Sequence, residues 1–596
     1  MSIRLRFGAA LLLVLAAAVL VYADTFPNSF VYDDLVTVEE NLFIRDWGNL
    51  GLFFSPEYYL LSEEYSFRPL VTLTYFIDYY FWGLNPWGYH LSNLLWHLAA
   101  TAAFALIVRS LWPRRPAAMV GALVFAVHPV QVEAVAGISF REDLLCACFY
   151  FLALLGFLRA GNRRGAAAAA LKGAALLAFA AALFSKEMAV TFPLVLAAAR
   201  LIRAAPGNGR RRVFSDPWLW ASFLIAAAYG AGRFSLFYQR GTLPSTPEFG
   251  DLPTRALLAA KSLALYGSRL LFPVNLTVEY PDPNRAAAWG RYLLAGIPLA
   301  AAAGLGAWRT GGEKARFGLA WLLLALLPVC NLFPSPRLGA ERFLYLPLGG
   351  FCIWTAATLE AAGGAVSGTR RKILAAAVVA VVVALAAGTV ARTRVWRNNL
   401  TLFEAAVRAA PDSSKARHGL GNEYFRRGRL REAVEEFHRA IAILPREPFY
   451  YNSLGVAYGE AGDLARAREQ FEISRRLNPG DPLILINLAV LELKAGRPDR
   501  AERTIREYTQ ARPRDPHGFL ILGEAALDGG NWETAREAYR SALDLDPGSA
   551  DAWSGLAYCL YREGKPEEAQ WAWRRALALD PGNPDVRRAL ESLRER

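Results

Sequence analysis

Ionisable side chains stand in a few short segments of an otherwise apolar sequence. Asp33 and Asp34 are adjacent, and Arg68 lies in the same polar stretch. His90 and Asn93 open the next apolar run. His128 and Glu133 come late in the run after that, followed at once by Arg141, Glu142 and Asp143. Lys186 and Glu187 separate two further runs, and Arg337, Glu341 and Arg342 precede another. Adjacent carboxylates can supply a general base, or ligands for a hard divalent cation such as Mg2+ or Mn2+. Arginine and lysine nearby can hold a phosphate or stabilise one as it leaves. The chemistry expected is displacement at a phosphate-linked donor. Asp33 or Asp34 is the candidate base. Arg68, His90, His128, Glu133, Arg141, Asp143, Lys186, Glu187, Glu341 and Arg342 are candidates for binding the substrate. The spacing admits a cation at Asp33 and Asp34 without demanding one. Bland readings stand beside these: a hydrated hairpin at Lys186 and Glu187, a kink before Pro129 satisfied by His128, and a headgroup anchor at Arg141.

The elements that must position these groups are apolar helices. Apolar residues make up 54% of the chain and charged ones only 20%, too little charge for a soluble protein of this length. Apolar windows fall near 5–23, 89–112, 117–137, 143–160, 166–184, 187–204, 217–237, 289–308, 316–334, 342–361 and 371–392. Each is about long enough to cross a ~30 Å hydrocarbon core. The first follows Arg4 and Arg6 and lacks a clear cleavage site, so it reads as a retained helix rather than a signal peptide. Residues 254–272 carry Arg255, Lys261 and Arg269 and read as an interfacial helix.

With the N-terminus inside, every strongly basic short loop falls on one side: Arg114–Arg115, Arg163–Arg164, Arg210–Arg212, Lys314 and Arg316, and Arg370–Lys372. Such loops stay cytoplasmic. They account for much of the net charge of +13, which therefore does not argue for nucleic acid. The candidate residues then collect at the outer face, in the loop 24–88 and the short loops after it. Ionisable groups beside membrane helices are costly, and are paired or functional. Four of the five cysteines lie in apolar segments, which disfavours a disulfide framework. Cys146 and Cys148 are two apart, on different faces of a helix, which is poor metal-ligand spacing. No phosphate-cradling Gly-rich loop with its Lys is present, so nucleotide chemistry is disfavoured.

The rest of the chain is a repeat array. Ala433, Ala467, Ala501, Ala535 and Ala569 recur every 34 residues, as do Pro445, Pro479, Pro513, Pro547 and Pro581. Leu420, Leu454, Leu488, Leu522 and Leu556 keep the register, each followed by Gly or Ala. This is the tetratricopeptide (TPR) pattern of paired helices. The expected architecture is all-α: a membrane bundle of about eleven helices over 1–392, a junction with a half-repeat over 393–411, five repeats over 414–581 and a capping helix over 582–596. The concave face of such a stack suits an extended peptide, with a rigid spacer as the bland alternative.

Several segments resemble the TPR-containing transmembrane O-mannosyltransferases, within the GT-C class of membrane glycosyltransferases. They are FVYDDLVTVEENLFIRDW (30–47), YSFRPLVTLTYFIDYYFWGLNPWGYHLSNLLWHL (65–98), FAVHPVQVEAVAGISFREDLL (125–145), LFSKEMAVTFPLVL (183–196) and ERFLYLPLGGF (341–351). The resemblance covers nearly the whole chain, in order. It implies transfer of a sugar, mannose by the family's habit, from a polyprenyl-phosphate donor to Ser or Thr of extracytoplasmic proteins, by a single inverting displacement. It places the base at Asp33 or Asp34. Arg141 and Asp143 match the family's Arg-x-Asp, although Phe140 stands where Gly is expected and Glu142 replaces a small residue. The rival readings are a lipid-linked oligosaccharide ligase or polymerase and a non-catalytic membrane TPR scaffold. An Ala- and Arg-rich composition suggests a bacterial inner membrane with site and repeats in the periplasm, or an endoplasmic reticulum membrane if the source is eukaryotic.

Overall fold

The computed structural model describes residues 3–53, 55, 67–112, 117–161, 163–203, 213–239, 252–281, 312–332 and 339–594. Every regular element among them is helical, and they form two compact units, 1–416 and 417–596.

In the first unit the long helices are α1 (Ile3–Tyr22), α2 (Pro69–Trp82), α3 (Pro86–Leu111), α4 (Ala117–Val127), α5 (Val132–Ala136), α6 (Arg141–Ala160), α7 (Gly165–Ser185), α8 (Phe192–Arg203), α9 (Pro217–Gln239), α10 (Leu252–Leu271), α11 (Gly312–Leu326), α12 (Tyr345–Ala365), α13 (Gly368–Val395) and α14 (Asn399–Ala409). Alanine and leucine dominate α7, and both lose little entropy on becoming helical; in α13 alanine is mixed with valine. Pro starts α2, α3 and α9, where its missing N–H costs nothing. Small residues let helices meet closely. A methyl group on Gly318 would collide with the Trp354 backbone, and one on Gly350 with that of Leu322, so α11 and α12 touch backbone to backbone. Trp321 of α11 is fully buried among Phe104, Tyr150, Phe151 and Phe317. Inside this apolar core His97 joins three helices. Its Nδ1 accepts from the Tyr345 hydroxyl at 2.7 Å, and its Nε2 donates to the Ala126 carbonyl at 3.1 Å.

Among the described residues six helices are long and apolar enough to cross a membrane, seven if one bent pair counts as a span; the chain is an integral membrane protein. The count of eleven is not confirmed among these residues. Window 289–308 lies outside the described residues. Window 187–204 splits into a 3-10 turn, Glu187–Thr191, and the 12-residue α8. Helix α11 has 15 residues before its own 3-10 turn. Helix α9 is long, but Trp, Tyr, Gly and Arg233 make it less apolar. The window 117–137 is broken at His128-Pro129, where its halves bend by 49°, because Pro129 cannot donate to the helix. Helix α10 turns Lys261, Ser262 and Arg269 inward while Leu252, Leu257 and Leu263 are exposed.

The second unit is a stack of helix pairs, α15/α16 (Ser414–Arg426, Leu430–Ile443), α17/α18 (Pro448–Glu460, Leu464–Leu477), α19/α20 (Pro482–Lys494, Pro498–Ala511), α21/α22 (Pro516–Asp528, Trp532–Leu545) and α23/α24 (Ala550–Arg562, Pro566–Leu579), followed by α25 (Pro584–Arg594). Each pair turns on a glycine at positive φ: Gly428, Gly462, Gly496, Gly530 and Gly564, between +66° and +81°. That left-handed conformation ends the first helix of the pair and is cheap only for glycine. Within pairs, Gly421, Gly455 and Gly523 lie flat against the rings of Phe437, Phe471 and Tyr539.

Candidate functional site

The starts of α3, α6 and α12 meet the ends of α5, α7, α9 and α13 at one end of the bundle, and the candidate residues sit at those termini. The opposite end holds the pairs Arg200–Asp216 at 2.5 Å and Lys314–Glu360 at 3.7 Å.

The segment after α1 carries the two aspartates, and they differ in kind. Asp34 is fully buried. Its Oδ2 accepts the Val31 N–H at 3.1 Å and its Oδ1 the Ser139 N–H at 2.6 Å. Burial nonetheless pushes its pKa up to about 6. Asp34 thus straps its own loop to the 3-10 turn Ile138–Phe140. Asp33 is half-buried and keeps solvent access. Tyr32 before it has φ +59°, an uncommon conformation for a bulky residue. It is held there from several sides. Its N–H donates to Asn399 Oδ1 at 2.8 Å, its hydroxyl donates to Glu279, and its ring lies 6.3 Å from that of Phe140 and 5.9 Å from that of Phe403. Asn399 and Phe403 belong to α14, whose first turn Asn398 and Thr401 cap reciprocally.

The cations form a connected group. Lys186 Nζ pairs with Asp143 at 2.6 Å and with Glu142 at 3.1 Å. Arg68 pairs with Glu142, and with Glu187 at 3.4 Å. Arg233 pairs with Glu187 at 3.1 Å. Arg342 pairs with Glu133 and donates its own backbone N–H to the same carboxylate at 3.0 Å. The Phe343 ring lies 5.3 Å from both Lys186 Nζ and Arg342 Cζ, and Phe140 stacks 4.0 Å under Arg342. Since Phe140 also faces Tyr32, side-chain contact runs unbroken from the aspartate loop to Arg233. Four cations (Arg68, Lys186, Arg233, Arg342) meet four carboxylates (Glu133, Glu142, Asp143, Glu187).

Other candidates are held elsewhere. Arg141 is wholly buried. Its guanidinium pairs with Asp78 at 2.5 Å and donates to Asn93 Oδ1 at 2.7 Å, Thr74 Oγ1 at 3.1 Å and the Tyr89 carbonyl at 3.1 Å. It ties α6 to α2 and α3 and does not touch the cation group. With Glu142 and Asp143 it forms the first turn of α6, where a loop was expected. Asp and Glu suit the positive end of a helix, which explains the longer helix. His128 accepts the Val130 N–H on Nδ1 at 3.3 Å and donates from Nε2 to the Leu270 carbonyl at 3.1 Å. Both nitrogens are engaged in contacts that hold the bend. His90 is buried beside the Asn28 backbone. Glu341 accepts from Thr277 N–H and from the Tyr280 hydroxyl at 3.2 Å, and pairs with Arg392 at 3.2 Å. Arg337 lies outside the described residues.

Sequence reasoning did not single out Tyr32, Asp78, Arg233, Tyr280 or Arg392. Asp78 and Arg233 were visible as lone charges in apolar surroundings, the same signal that marked His128 and Glu133. Among the described residues no three His, Cys, Asp or Glu side chains converge to hold a metal ion. Both Asp34 oxygens already accept backbone N–H groups.

Known proteins match both units. Tetratricopeptide repeat models match residues 452–516 and 521–584, and a TPR repeat model matches residues 421–462. Over 496 residues the chain is 26% identical to the human protein O-mannosyl-transferase TMTC4, covering 72% of this chain and 65% of that one. It is 26% identical over 491 residues to human TMTC1 (74% and 55% covered), and 24% identical over 506 residues to Drosophila melanogaster Tmtc3 (72% and 55%). The chain thus spans less than two thirds of the length of these relatives. Among solved structures it is similar to MamA (41-end) from Desulfovibrio magneticus RS-1, at 22% identity and a TM-score of 0.27, over 29% of this chain and 97% of that one.

Proposed function

We propose that the chain is a GT-C type membrane glycosyltransferase that moves a sugar, mannose, from a polyprenyl-phosphate donor to a Ser or Thr hydroxyl of an extracytoplasmic protein. The similarity to proteins named O-mannosyl-transferases supports the sugar and the protein acceptor. The observation that carries the chemistry is the division of labour within the aspartate pair. Asp34 is strapped and dry, while Asp33, beside it, is reachable and stands at the same end of the bundle as four cations. In this reading Asp33 takes the proton of the acceptor hydroxyl as its oxygen attacks the anomeric carbon. The bond to phosphate breaks on the opposite face, and the departing lipid phosphate is stabilised by Arg68, Lys186 and Arg342. The lipid tail stays in the bilayer, so the reactive head meets the site at the membrane surface. The basic short loops support a surface outside the cytoplasm, in the periplasm of a bacterium or the lumen of an endoplasmic reticulum. The TPR unit serves the protein acceptor.

The test is transfer of labelled mannose from polyprenyl-phosphate-mannose to secreted proteins in membranes carrying the chain. Loss of a general base costs roughly 10²–10⁴-fold. Asp33→Asn should lose that much, and Asp34→Asn less. Label that persists at the wild-type rate in the Asp33→Asn/Asp34→Asn double variant would remove the aspartates from the mechanism.

A further inference from the structure

Glu187 stands apart from the other carboxylates at this end of the bundle. Its side chain is 40% exposed, against 8%, 4% and 0% for Glu142, Asp143 and Glu133. Two arginines from separate elements hold it. Arg68 precedes α2, with Nη2 at 3.4 Å; Arg233 lies near the end of α9, with Nη1 at 3.1 Å. Both keep access to solvent, at 20% and 22%, and the Tyr229 hydroxyl accepts from Arg233 at 3.2 Å. One side of this group is apolar. The Phe184 ring lies 6.1 Å from Phe67 and 5.9 Å from Tyr229, and Phe184 and Val190 are 36% and 44% exposed, as residues that meet lipid can be.

This ion pair is neither shut away nor fully solvated. Guanidinium forks bind carboxylate and phosphate oxygens alike. A phosphate monoester brings more oxygens and more charge than one carboxylate, so a pair of arginines prefers it. The geometry points to Arg68 and Arg233 as an anion seat for the lipid phosphate monoester that remains when the sugar leaves, with Glu187 as the resident counter-ion that this phosphate displaces. Glu187 is the carboxylate able to leave. It sits on a short 3-10 turn, half in water, whereas Glu142 and Asp143 are buried on α6 and remain with Lys186. The seat deepens the transferase reading and rests on it for the identity of the lipid.

The test uses the purified full-length chain in detergent and farnesyl phosphate as probe, with farnesol and inorganic phosphate as controls, by isothermal titration. Glu187→Gln removes the competing charge and should tighten farnesyl phosphate about tenfold, while Arg233→Gln weakens it about tenfold or more. Arg233→Lys, which keeps the charge and guards against misfolding, should fall between wild type and Arg233→Gln. Farnesol should bind all four proteins equally. Opposite signs for Glu187→Gln and Arg233→Gln are the signature. Equal weakening in both, or no change in either, overturns the seat. Inorganic phosphate bound as tightly as farnesyl phosphate also overturns it, by making the ligand a free phosphate. Mannose transfer measured in parallel separates the two ideas. Transfer that depends on Asp33 with flat farnesyl phosphate affinities fails the seat alone. The affinity pattern without transfer from any lipid-linked mannose fails the transferase reading and leaves the seat standing.

Discussion

Asp33 and Asp34 are neighbours in sequence, and solvation makes them different acids. Asp34 has lost its water and receives two backbone N–H groups in exchange, and burial still wins, lifting its pKa from 3.8 to about 6. The folded chain therefore holds this proton more tightly than the unfolded chain does. Its contribution to stability is fully present below about pH 4 and is lost as pH rises through about 6, a change of roughly 2–3 kcal/mol. The stability difference between wild type and Asp34→Asn should shrink by that amount between pH 4 and pH 7 in apparent unfolding free energy. A difference that does not change with pH would mean that Asp34 titrates normally. Asp33 depends instead on Tyr32, whose left-handed backbone is of the kind that persists only when its surroundings over-determine it. Asn399→Ala removes the acceptor of the Tyr32 N–H. It should lower kcat for sugar transfer several-fold while leaving the donor KM unchanged, because the donor's phosphate is held by other residues. A rise in KM at constant kcat would count against a positioning role.

At the scale of elements, what could be read from the sequence was what is local in the chain. The repeat period, the apolar helices and their basic and acidic ends all rest on spacings of a few residues to a few tens. The break at His128-Pro129 was foreseeable as a kink, yet an apolar average over 117–137 runs straight across it. Pairing was not legible. Arg141 is a site residue by motif and a buried brace by contact, because its partner Asp78 lies on another helix. Likewise α10 shows one apolar face in sequence, but nothing local says that Lys261 and Arg269 turn inward. The α11–α12 crossing has the same long-range character and gives a prediction at this scale. Gly350→Leu would push a side chain into the Leu322 backbone, and overpacking of this kind costs about 1–3 kcal/mol or more. Gly364→Leu on the same helix has open space around it. The first should lower the thermal midpoint of the purified chain by several degrees and the second should leave it nearly unchanged. Equal midpoints would show that the helices do not touch there.

For the whole molecule, the question is how two units with unlike physics share one task. The membrane unit has one large core and a smaller one around Phe43 and Phe76, with most of its ionic groups at helix ends. The repeat unit is built from short-range contacts between neighbouring helix pairs, so its stability is close to a sum over pairs and their interfaces. Damage in one repeat should therefore stay in that unit. Gly455 lies against the Phe471 ring, and Gly455→Leu should loosen the second repeat and its neighbours while the membrane helices keep their melting transition. If the repeats serve the protein acceptor, this variant should lower kcat/KM for a whole secreted protein several-fold. Transfer to a short Ser/Thr peptide, too small to engage a stack of repeats, should proceed as in the wild type. A parallel loss with both acceptors would mean that the repeats support the membrane unit itself. No loss with either would make them a spacer. The comparison thus weighs the peptide-binding reading of the array against the bland one with a single substitution far in sequence from Asp33.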